Sequence, residues 1–184
     1  GWSKRMSEQV LIDAAKAHPE FRYGILRYFN VSGCDPHYRI GESHDPETHL
    51  IPLIAQATLG KRESIHIYGE DYDTPDGTCI RDYVHVLDLA QAHIRLLEHL
   101  ERHDSQILNC GYGHGYSVRE VVEMMQHLSD DRFPIEVKDR RPGDPATLVA
   151  DNQKILNTLN WQPRYDDLET ICQHALEWER KRHF

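Results

Sequence analysis

Short runs crowded with aromatic and β-branched residues alternate along this chain with amphipathic helical stretches. That alternation admits one class, an α/β fold whose strands are joined through helices. SKRMSEQVLIDAAKAH spaces Met6, Val10, Ala14 and Ala17 helically and stops at His18-Pro19. YGILRYFNV, closed by Ser32-Gly33, reads as a strand buried on both faces. A loop rich in Asp, His, Pro and Glu covers residues 35–48, and LIPLIAQATLGKR restarts as a helix with Gly60 as its stop. The strand SIHIYG, the polar loop EDYDTPDGT and the strand IRDYVHV come next. Asp88 is expected to cap the helix DLAQAHIRLLEHLERH. After the strand ILNCGYG, Ser117 and Glu120 stand at capping-box spacing before SVREVVEMMQHL. The tail adds the strand PIEVKDR, a turn at PGDP, the strand ATLVA, and helices over 151–159 and about 168–180.

A chain of 184 residues with 39% apolar content fits one domain or one lobe of a larger fold. Its 30 acidic residues outweigh 21 basic ones, and the basic ones are scattered apart from Lys181 and Arg182, which argues against a nucleic-acid partner. Cys34, Cys79, Cys110 and Cys172 are far apart and read as reduced thiols. With no apolar run of bilayer length and no export signal at the first residues, the expectation is a cytoplasmic protein with no membrane partner. Among thirteen histidines, His99 and His103 make the helical i, i+4 pair, which reads as a solvated helix end, so no metal site is expected.

A dinucleotide-binding unit would need a strand, a Gly-rich turn, a helix and a later acidic residue. No segment has that order: the glycines of GYGHGYS are spaced Gly-x-Gly-x-Gly, and a tight strand-to-helix turn is their reading.

Four stretches carry chemistry. Trp2-Ser3-Lys4 puts a lysine at the head of a helix, which alone is an ordinary surface lysine. LRYFN ends a strand on Asn30, beyond the carboxyl end where ligands of open sheets bind, although a turn asparagine fits as well. IHIYGEDYDTPDGTCIRDYVHVLDLA offers Tyr68, whose face suits a flat base, and Arg81, whose guanidinium suits phosphate. Asp82, Tyr83, His85 and Asp88 read as structural ties between a short strand and a helix. In RRPGDP, Arg141 and Asp144 flank a Pro-Gly turn and could point inward together or pair with each other.

Together these stretches closely resemble the UDP-glucose (UDP-galactose) 4-epimerases of the extended short-chain dehydrogenase/reductase superfamily, over essentially the whole chain. The DYDTPDGT loop before IRDY favours them over other NAD-dependent sugar-nucleotide epimerases and dehydratases, which stay as the alternative, along with a UDP-binding module without catalysis. The resemblance implies the C-terminal part of such an enzyme. Residues 1–34 would be a residual Rossmann helix and strand, and 35–184 mainly a substrate-binding lobe with a returning Rossmann strand near 106–112. Lys4 would be the catalytic lysine of a Tyr-x-x-x-Lys pair, with the tyrosine falling immediately before Gly1. Lys4 and Phe29 would meet the nicotinamide end of NAD, a cofactor of the complete enzyme that these residues alone would not retain.

By the same resemblance the substrate is a UDP-hexose. Tyr68 would stack on uracil, with main-chain groups from His66 to Tyr68 pairing its edge. Arg81 and Arg141 would bind the diphosphate and Asp144 the ribose hydroxyls, while Asn30 and the main chain of Leu50, in ETHLIP, would contact the sugar nucleotide. His49 departs from the pattern, since several relatives carry asparagine there. Leu148 stands where some have tyrosine beside the hexose, implying room for an N-acetyl group, which turnover of UDP-N-acetylgalactosamine by the complete protein would test. The implied partners are a missing N-terminal NAD-binding segment and a second copy docking through the first helix. The 184 residues are expected to be inactive alone.

Overall fold

The computed structural model describes residues 1–130 and 132–182. Its elements are α1 (Trp2–Ala17), β1 (Gly24–Tyr28), β2 (Asn30–Ser32), α2 (Leu50–Thr58), β3 (Ile65–Tyr68), β4 (Ile80–Arg81), β5 (Tyr83–His85) and α3 (Val86–Leu100). Then follow β6 (Gln106–Cys110), β7 (Tyr116–Ser117), α4 (Val118–Ser129), β8 (Ile135–Lys138), β9 (Thr147–Leu148), α5 (Gln153–Leu159) and α6 (Leu168–Lys181). The expected α/β alternation is therefore present. β1 pairs with β6, β2 with β5 and β3 with β8, all parallel, while β4 lies between antiparallel β7 and parallel β9.

Burial follows the apolar periodicity. Ile51 and Ile54 of α2, Ile65 and Ile67 of β3, Val121 and Met125 of α4, and Ile171 and Leu176 of α6 are all buried in one core. Each contributes about 1.5–3 kcal/mol relative to an exposed position. Gly60, at φ +68, ends α2 as anticipated, its N–H reaching Ala57 O at 3.0 Å. The capping box is also as expected: Ser117 Oγ accepts from Glu120 N, and Glu120 Oε2 accepts from Ser117 N at 2.6 Å. All four cysteines are free and buried.

Two expectations need correction. YGILRYFNV is not one doubly buried strand. It breaks at Phe29, and within β1 only Ile25 is buried, Tyr28 being half exposed. β1 pairs with β6 along one edge, α3 reaches one of its faces where Leu96 packs on Gly24, and α1 reaches the other through an Arg27–Glu8 ion pair without burying any residue of its own. Asp88 is not the cap of α3. The helix starts earlier, at Val86, and His85 Nδ1 accepts from Leu87 N at 3.2 Å.

That cap fixes the tautomer of His85. With Nδ1 accepting, Nε2 carries the proton and donates to His174 Nδ1, 3.0 Å away. His85 is fully buried and packs so closely under Gly33, at φ +82, that a Cβ there would lie 2.6 Å from the ring. Burial, and then the neighbouring His174, push the His85 ring down to about 4. The unfolded chain takes up that proton near its ordinary value and the folded one does not, so stability falls as pH drops from about 6.5 toward 4, by about 3 kcal/mol in total. Urea unfolding at pH 7 and pH 5 should show most of this loss, and His85→Gln should flatten the profile. A wild-type profile without slope would contradict the assignment.

Candidate functional site

The site is built on short strands whose ends meet the N-terminus of a helix. β3 brings His66 and Tyr68, β4 brings Arg81, the turn after β8 brings Arg141 and Asp144, and the first residues of α2 bring His49 and Leu50. Together with Asn30 of β2 they line one cleft of about 260 Å³. A wider adjoining groove is lined by Lys4 of α1, Phe29 and Leu148, and Asn30 and His49 border both. The residues singled out in the sequence thus fall into two neighbouring groups joined at Asn30.

Main-chain geometry leaves one edge of β3 open. Ile65 N and Gly69 N donate to Pro134 O and Lys138 O on the β8 side, at 2.9 and 2.8 Å. In a parallel ladder alternate residues face opposite neighbours, so the main-chain groups of His66 and Tyr68 point away from β8, where no strand pairs among the described residues. Leu50 opens α2 and carries an N–H that the helix itself does not use, at the dipole end that favours anions.

Side chains in the cleft are engaged with one another. Arg81 Nη2 donates to Asp144 Oδ1 at 2.5 Å and Nη1 to Ile80 O at 2.7 Å, and the arginine side chain is only 11% exposed. The guanidinium of Arg141 lies 4.0 Å over the Tyr68 ring, covering the face that the resemblance assigns to uracil. His66 Nε2 is 3.6 Å from Glu136. A planar ligand therefore meets an arginine-capped tyrosine, and an anionic one meets Arg62, Arg81 and Arg141 with a single carboxylate, Asp144, among them.

Behind the cleft lies a buried scaffold. Asp82, beside Arg81, accepts N–H bonds from Tyr112 at 3.0 Å, Gly113 at 3.1 Å and Ala150 at 3.2 Å, tying the β6–β7 turn and the end of β9 to β4. Asp88 accepts from Tyr112 Oη at 2.7 Å and from the main-chain N–H groups of Arg164 and Tyr165, both at 2.9 Å. These contacts agree with the structural reading of Asp82 and Asp88. The polar loop before β4 is self-tied: Thr78 donates to Asp76 through both N and Oγ1, and a Cβ on Gly77, at φ +79, would collide with Glu70 O.

Sequence reasoning did not place Arg62 or the ring of His49 in the cleft. The convergence of Glu42, His44, Glu47 and His49 carries no helical spacing in the sequence, because these residues precede α2 on a loop. His99 and His103 stack on each other at 4.4 Å between ring centroids. No described helix is long and apolar enough to cross a membrane.

Comparison with known proteins gives the arrangement a context. Residues 1–111 match the model of the NAD dependent epimerase/dehydratase family. The chain is similar to UDP-glucose 4-epimerase of Azospirillum brasilense, 53% identical over 98% of this chain and 52% of that protein. It superposes on a crystal structure of a UDP-glucose 4-epimerase with a TM-score of 0.95 and 48% identity, covering 98% of this chain and 55% of the other. A Bifidobacterium longum UDP-glucose 4-epimerase in complex with NAD+ and UDP gives a TM-score of 0.92 at 37% identity, with 98% and 54% covered. The chain spans about half the length of the curated relatives it matches.

Proposed function

Because this chain belongs to the NAD-dependent epimerase/dehydratase family, we propose that it is the sugar-nucleotide-binding part of a UDP-glucose 4-epimerase, with UDP lying along the cleft from Tyr68 to Asn30. The observation that carries this reading is convergence: Asn30, Leu50, His66, Tyr68, Arg81, Arg141 and Asp144, scattered over the sequence, line one cavity. Uracil pairs with the open main chain of His66 and Tyr68. The diphosphate meets Arg81, Arg141 and the N–H of Leu50, and Asp144 turns to the ribose hydroxyls. The hexose extends past Asn30 toward Leu148. Residues 1–34, with the parallel strand β6 inside 106–112, are the Rossmann share of the chain, and 35–184 are mainly the substrate lobe.

Toward NAD, Lys4 and Phe29 fit in position, since both line the groove next to the hexose end of the cleft. When bound, NAD supplies acceptance and return of hydride at the sugar C4. The chain's own part is to orient the hexose against that groove and to hold the Lys4 ammonium where it favours the phenolate of a neighbouring tyrosine over the phenol. A second copy docking through α1 is supported by the exposure of Trp2, Met6 and Val10 on that helix.

Calorimetry of the 184-residue polypeptide with UDP tests the binding half, and saturable heat with a stoichiometry of about one is expected. The same polypeptide with NAD and UDP-galactose should give no UDP-glucose, because its residues hold no strand, Gly-rich turn, helix and acidic residue in the order a dinucleotide needs. Turnover would sink that half, and absence of UDP binding would sink the first.

A further inference from the structure

At the border of the cleft, the loop before α2 folds back so that Glu42, His44, Glu47 and His49 each aim one donor atom at a common point, all four atoms lying within 4.8 Å of one another. His49 Nδ1 is 2.9 Å from both Glu42 Oε1 and Glu47 Oε1. His44 Nδ1 is 3.0 Å from Glu42 Oε1 and 3.5 Å from Glu47 Oε2. An Nδ1–H carries one proton, yet each of these ring nitrogens lies against two carboxylate oxygens, so neither imidazole can serve both of its neighbours.

A second observation shows where the shortfall falls. The Glu47 side chain is 3% exposed, and its Oε1 is served by the main-chain N–H groups of Thr48 and His49 at 2.7 and 2.8 Å. Its Oε2 is fully buried and has no hydrogen-bond partner, yet it faces His44 inside the cluster. A buried, unpartnered carboxylate oxygen costs several kcal/mol unless a cation meets it.

We propose that these four residues form a binding site for one divalent transition-metal cation, zinc by its donor set. Two imidazole nitrogens and two carboxylate oxygens suit Zn(II), whereas Mg(II) and Ca(II) take oxygen ligands. Zinc–ligand bonds of the usual length give a tetrahedron with edges of about 3.3 Å; the four imidazole-to-carboxylate distances of 2.9 to 3.5 Å lie around that value, and the donor atoms as a set lie within 4.8 Å of one another. Two carboxylates with two neutral imidazoles also match the ion's charge. The loop is anchored from behind, since Trp178 Nε1 donates to Glu42 O at 2.7 Å and Gly41 packs against the Trp178 ring. The ion ties this loop to His49, the residue that immediately precedes α2 and borders the cleft.

The test uses metal-stripped protein, zinc and cobalt, and no nucleotide, so its outcome is separate from that of UDP binding. Dialysis against Zn(II) followed by metal analysis should give about one equivalent, Zn(II) should raise the melting temperature, and Co(II) should give the visible absorption of a tetrahedral site, while Mg(II) and Ca(II) do neither. His44→Ala and Glu47→Gln should each weaken zinc at least tenfold, the scale that even outer-shell changes reach. His44 is half exposed, so His44→Ala should keep the circular dichroism of the wild type, and a His99→Ala/His103→Ala double variant should bind as before. Substoichiometric zinc in the wild type, or zinc binding undiminished in His44→Ala, would overturn the proposal.

Discussion

Replacing Asp88 by alanine should lower the unfolding free energy by about 4 kcal/mol, because one buried carboxylate organises three separate segments. It accepts from Tyr112 Oη, Arg164 N and Tyr165 N, while its own carbonyl accepts from Trp161 Nε1 at 3.0 Å. Alanine leaves three donors in a site that is 2% exposed, and an orphaned buried group costs about 1–3 kcal/mol. Arg164 is exposed and Tyr165 only partly buried, which keeps the sum near the lower end of three such penalties. Asp88→Asn should cost less, since its amide oxygen still accepts while its NH₂ has to face donors. Urea midpoints measured with an unchanged m-value are the readout. An Asp88→Ala midpoint within error of the wild type would mean that water replaces the carboxylate without loss.

The second large effect concerns binding. Arg81→Ala should weaken UDP by about 100-fold, or about 2.7 kcal/mol, while leaving the weaker affinity for uridine nearly unchanged. The difference between the two ligands matters, because Arg81 is also tied to Asp144 and Ile80 O, and a collapse of the cleft would weaken both. Arg81→Lys keeps the charge and loses the fork, so about a tenfold loss is expected. Equal losses of UDP and uridine in Arg81→Ala would assign the arginine to scaffolding alone.

How much of this was legible in the sequence differs by kind of interaction. The Ser117–Glu120 capping box and the Gly60 stop were readable because both partners lie within one turn. The cleft residues were readable only through resemblance: Tyr68 and Arg141 are far apart in sequence, and nothing local says that the guanidinium lies over the ring. Asp88 was misread because an acidic residue at a helix start looks like a cap. The partners that bury it, Arg164 and Tyr165, enter from 76 and 77 residues away. YGILRYFNV was misread because apolar content predicts appetite for burial, whereas actual burial depends on which neighbours cover the strand. The Glu42–His49 cluster escaped because a loop has no period against which ligand spacing can be judged.

The parallel pairing of these strands also sets a tempo. Tyr23 and Ser105, at the start of the β1–β6 ladder, are 82 residues apart, and Ser64 and Glu136, at the start of β3–β8, are 72 apart. Parallel partners cannot be closed by a hairpin, so large loops must lose their entropy before either ladder returns any energy. Refolding from urea should therefore run on the millisecond-to-second scale of non-local topologies, with the helices forming well before the ladders close.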